Sequence, residues 1–86
     1  MIIVNEREVM IMLNDIKTFF ELEYSSTIKY LESPSAKGCE RQAVDSAIRR
    51  CLSVALFAQE IGAPFEGIKL LYETYKKKLE KLLDNK

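Results

Sequence analysis

Residues Cys51 to Ala58, reading Cys-Leu-Ser-Val-Ala-Leu-Phe-Ala, carry no charge, and Ser53 is the one polar side chain among them. They sit inside a longer helical pattern from about Cys39 to Ile61. A surface helix shows a single apolar stripe, whereas a helix apolar on most sides is buried on most sides. The stretch therefore predicts a helix in the middle layer of the fold, enclosed by its neighbours or by a second copy of the chain.

The periodicity on either side of this stretch is also helical. In the first third, Val9, Leu13, Ile16, Phe20, Tyr24, Ile28 and Leu31 recur at spacings of three and four. Asn5 with Glu8 forms a capping-box pattern, and Val4 and Val9 occupy the hydrophobic-staple positions. Ser25, Ser26 and Thr27 lower the helix propensity locally and offer a break. The apolar repeat crosses them in phase, which favours one long helix to about Glu32. Pro34 ends it, because the residue before a proline avoids the helical region. At ~1.5 Å per residue this helix spans roughly 40 Å. Met1 to Val4 read as an apolar tail that packs on the rest.

Ser33 to Gly38 supply turn chemistry. The second helix has its seam at Val44, Ile48, Cys51, Val54 or Ala55, Ala58 and Ile61, widened by Leu52, Leu56 and Phe57. Alanines at 43, 47, 55 and 58 allow a close helix approach. Gly62 is placed to end the helix in the left-handed conformation. Pro64 then suits the first position of a third helix, with Glu66 in its first turn. That helix carries a four-three heptad seam of Ile68, Tyr72, Tyr75, Leu79 and Leu82. The expected fold is all-α: an antiparallel three-helix bundle with a long first helix. Its helices run over about 5–32, 38–61 and 64–84 of a single helical domain covering residues 1–86.

A chain of 86 residues buries a modest share of its unfolded surface. Oligomerisation is a common remedy, and the first helix carries the material for it. Val9 to Leu13 are five consecutive apolar residues, which covers the whole circumference, and Phe19 and Leu22 fall off the main seam. Contiguous apolar surface marks an interaction site. The expected interface is Val9, Met10, Met12, Phe19 and Leu22, with Phe57 from the second helix; methionines and aromatics are over-used at such surfaces. The alternative is that the Met1–Val4 tail folds back over them.

Thirteen basic and thirteen acidic residues give a formal net charge of zero. That argues against a protein built to grip nucleic-acid phosphates, which usually carries a basic excess. Cys39 and Cys51 are too few for a disulfide framework, and their spacing fits no zinc site. They read as a helix-start and a core cysteine. The N-terminus lacks a basic signal region, and no apolar run approaches the ~18 residues of a membrane span. The expected location is the cytosol.

No catalytic constellation stands out. Metal-dependent helical nucleotide pyrophosphohydrolases need acid pairs three or four apart on facing helices. Glu80 and Asp84 are the one pair at that spacing, and they sit at a fraying end; Glu21 and Glu23 point apart and read as a solvated face. The chain has no histidine, so Ser25, Ser26 and Cys39 have no base to activate them. Lys76, Lys77, Lys78 and Lys81 read as a solvated helix end that suits the dipole. No cofactor or metal is expected. Arg41, Arg49 and Arg50, with Lys37, are the candidate ligand residues, able to line a pocket for an anionic small molecule and hold it through bidentate bonds.

Glu40-Arg41, the helix that ends in Gly62-Ala63-Pro64, and Ile68 with Leu71-Tyr72 opening the last helix together give one resemblance. From Glu40 onward the chain resembles the C-terminal half of the all-helical chorismate mutases. The resemblance implies a three-helix chain that dimerises, and a helical enzyme in which Arg41, Arg49 and Arg50 would serve the substrate. That family also sets two arginines and a following lysine on its first helix; here the first helix has Arg7, Lys17 and Lys29 at other spacings.

The leading expectation is a small cytosolic, non-enzymatic interaction protein. It would be an adaptor, regulator or inhibitor of the sort found among short bacterial or phage proteins. It would associate with itself and with another protein through helical packing. The alternative is a binder of an anionic metabolite or nucleotide.

Overall fold

A computed structural model describes the backbone of residues 6–84 and the side chains of residues 10–84. Three helices pack against one another: α1, Glu6–Glu32; α2, Glu40–Glu60; and α3, Phe65–Asp84. Among the described residues there is no strand. The expected cap Asn5, the staple residue Val4 and the rest of the Met1–Val4 tail lie outside the described residues. So do the side chains of Arg7, Glu8 and Val9.

α1 runs unbroken through Ser25–Thr27. Thr27 is buried, and its hydroxyl donates to the Glu23 carbonyl at 2.7 Å. The hydroxyl is thus satisfied inside the helix, by bonding back to the carbonyl four residues earlier. The helix stops at Glu32, and Pro34–Ala36 form a single 3-10 turn. Gly38 follows with φ +86, and its N–H donates to the Glu40 carboxylate at 2.9 Å. α2 ends in a Schellman arrangement around Gly62, whose φ is +105. The Gly62 N–H reaches the Gln59 carbonyl and the Ala63 N–H reaches that of Ala58. Pro64 lies one position earlier than expected, just outside α3. Its carbonyl accepts the first helical bond, from Ile68, at 3.1 Å.

The core is unevenly supplied. α1 and α3 contribute large side chains: Ile16, Phe20 and Leu31 from the first, Ile68, Tyr75 and Leu79 from the other. α2 contributes Val44, Ala47, Cys51, Ala55 and Ala58. The Phe20 ring meets Tyr75 edge-on, with centroids 5.6 Å apart. Level with one another are Leu13 and Gly67, then Glu21 and Tyr75, so α3 climbs alongside α1. Against α2 the pairing descends, from Ile16 with Ala58 to Glu23 with Arg50 to Thr27 with Ala43. The result is a rod of 47 × 17 × 15 Å.

The enclosed middle helix is not realised within one chain. α2 occupies one corner of the triangle, and Leu52, Leu56 and Phe57 are exposed. Three helices around a common axis each bury one stripe, and an uncharged run is wider than a stripe. Ile61, expected on the seam, lies just past the end of α2 and is also exposed.

Candidate functional site

Among the described residues the most exposed large apolar side chains are Leu70 and Met10, near the start of α3 and α1, and a second group lies on the face that α1 and α2 share. Met12, Asp15 and Ile16 of α1, with Val54, Phe57, Ala58 and Ile61 of α2, line an apolar groove there. Phe57 and Leu22 are each 62% exposed. At 100° per residue, Met12 and Phe19 lie on the flank of α1 that borders α2, and Leu22 lies about 60° further round from Phe19, at the outer edge of that face beside Thr18 and Ser25. Phe19 is half-buried and meets Phe20 edge-on at 6.3 Å, so it belongs partly to the core. Met10 does not join this group. It lies on the flank towards α3, within about 20° of Glu21 around the helix, and is 65% exposed. Ile11, Phe65 and Leu70 are further exposed apolar residues near the same end of the rod.

The four cationic candidates do not converge. Arg41 and Arg49 open on one shallow cleft of α2, lined also by Gly38, Gln42, Asp45 and Ser46. Asp45 places a negative charge between them. Arg50 points to the other flank, where its Nε lies 2.9 and 3.0 Å from the two carboxylate oxygens of Glu23. That hydrogen bond, with the nearby negative charge, raises the arginine's pKa further. Lys37 is exposed in the loop before Gly38.

The carboxylates expected on a solvated face join helices instead. Glu21 and Glu23 do point apart, and each meets a different neighbour. Glu23 takes Arg50 of α2, with its own side chain only 15% exposed. Glu21 accepts a 2.5 Å hydrogen bond from the Tyr75 hydroxyl of α3. Lys78 likewise leaves the solvated cluster: its ammonium sits 4.8 Å from the Tyr75 ring centre and 5.7 Å from that of Tyr24. These were beyond sequence reasoning except through one signal, the 200° between positions 21 and 23.

Both cysteines are free. Burial pushes the Cys51 thiol up to about 11, with Glu23 adding to the effect, so at neutral pH it is an unreactive core side chain. Among the described residues, no group of three or more Cys, Asp or Glu is placed to hold a metal ion, and no helix is long and apolar enough to cross a membrane. No protein-family model matches the chain, and no curated protein or solved structure resembles it significantly.

Proposed function

We propose that this chain is a non-enzymatic protein-interaction module, a single antiparallel three-helix domain that acts as a homo-oligomer in the cytosol. One observation carries the reading: large apolar side chains stay exposed along the α1–α2 face, with Phe57 and Leu22 foremost. Soluble surfaces that keep such contiguous patches use them for association. The absence of histidine and the unreactive Cys51 thiol give an acid–base or nucleophilic mechanism little to work with. Native mass spectrometry of gently purified protein tests the reading. A clean oligomer without added mass is the expected result. A monomer at all concentrations, or a stoichiometric adduct of small-molecule mass, overturns it.

The second reading is an anionic-ligand binder, supported by Arg41 and Arg49 on one cleft. It predicts that Arg41→Ala and Arg49→Ala each abolish retention of such an adduct and leave self-association unchanged. Arg50 has no part in that cleft.

A further inference from the structure

Asp15 and Lys29 stand seven residues to either side of Leu22 on α1. A seven-residue step drifts only ~20° around a helix, so the three share one line along its outer flank. All three are exposed, and among the described residues neither Asp15 nor Lys29 makes an ion pair. We infer that a second copy of this chain packs antiparallel across the α1–α2 face, with Leu22 on the two-fold axis and Asp15 paired with Lys29 of the other copy. This rests on the homo-oligomer reading and gives it a face, an orientation and a register.

Symmetry selects this arrangement. An isologous contact must be self-complementary: if one residue meets another, the reverse contact occurs too. Two-fold rotation about Leu22 carries Asp15 onto Lys29 and Lys29 onto Asp15. A parallel pairing of the same faces would instead set like charges level with one another. Shape agrees with charge. Phe57 projects at the level of Ile16, roughly 9 Å below Leu22 along the rod. A hollow lined by Ser26, Thr27, Tyr30, Ala43, Ser46 and Arg50 lies about 6–12 Å above it. The rotation therefore lays the protruding ring of each copy over this hollow of the other, whose floor is Ser26, Thr27, Ala43 and Ser46 between Tyr30 and Arg50.

Polarity also fits. In the hollow, Arg50 is already paired with Glu23, so the charges the rotation has to pair are those of Asp15 and Lys29.

The test uses the full chain and sedimentation equilibrium, with helical content and thermal midpoint followed alongside. Leu22 is exposed, so Leu22→Asp should fold normally and weaken dimerisation at least ~10-fold. Asp15→Lys and Lys29→Asp should each weaken it, and the double reversal should restore it by exchanging the pairs. In a Cys39→Ser background, Leu22→Cys should oxidise to a disulfide-linked dimer, since the two positions adjoin at the axis. An oligomer that persists unchanged in Leu22→Asp, or charge reversals that add up without rescue, overturns this face and leaves the homo-oligomer reading standing. A wild-type chain that is monomeric throughout overturns both.

Discussion

The Tyr75 hydroxyl donates a 2.5 Å hydrogen bond to Oε1 of Glu21, joining α3 to α1 across 54 positions of sequence. The tyrosine ring is buried against Phe20, while the carboxylate it reaches is exposed. The polar group that a core aromatic carries is thereby led out to the surface and satisfied there. Among the described residues no buried side-chain nitrogen or oxygen is left without a partner.

Removing that hydroxyl tests what it contributes. Tyr75→Phe keeps the ring packing and frees Glu21 to water, so no buried group is orphaned. The expected loss is about 1 kcal/mol of unfolding free energy, measured by urea denaturation. A loss near zero would mean that water replaces the bond fully.

The same side chain sets an alkaline limit. Burial, then the hydrogen bond to Glu21 and its charge, push Tyr75 up from its ordinary value of 10.0 to about 12. The folded state holds this proton more tightly than the unfolded chain. Its contribution is present in full below pH ~10 and is lost as pH rises through about 12. Stability should fall over that window, and Tyr75→Phe should flatten the fall. Cys51 acts in the same direction over a window about one unit lower.

Cys51 also gives a kinetic readout. It is 1% exposed, whereas Cys39 is partly accessible. A thiol reagent at pH 8 should label one cysteine per folded chain quickly and the second only at the rate of opening. Equal rates for both would contradict a packed α2 core.

Phe20 is fully buried at the contact of α1 with α3. Phe20→Ala should cost ~3–5 kcal/mol. A domain of this size holds on the order of 5–10 kcal/mol, so the variant should lose roughly a third or more of its stability, and its thermal midpoint by circular dichroism should fall by ~10 °C or more.

The Glu23–Arg50 pair should contribute less. Arg50 is 54% exposed, and solvent-screened pairs give about 0.2–1 kcal/mol. Glu23→Gln should lose an amount within that range, and the loss should shrink in high salt.

The helices were legible in the sequence because their signals are local. Apolar spacing, Pro34, Gly62 and Pro64 set all three to within about two residues of 6–32, 40–60 and 65–84. The grouping of side chains was not, because it depends on which flank of a helix meets which neighbour. Arg49 and Arg50 are adjacent in sequence, yet one opens on a cleft with Arg41 and the other is drawn to Glu23. Glu21 and Glu23 look alike in sequence and bridge to different helices. The uncharged run of α2 suggested enclosure, but a lone triangle of helices leaves Leu52, Leu56 and Phe57 outside.

The small residues that line α2 have a mechanical consequence. Side chains such as Phe20 and Leu79 act as teeth, but Ala47, Ala55 and Ala58 give them few notches to engage. α2 keeps two fully buried teeth of its own, Val44 and Cys51, and is smooth around them in the cradle of the other two helices, so packing resists its axial slip at those two places and little elsewhere. Its position along the cradle is held by the two short turns at its ends and by Arg50, which acts as a latch pin against Glu23. Lengthening either turn while breaking the pin should free the helix to slide.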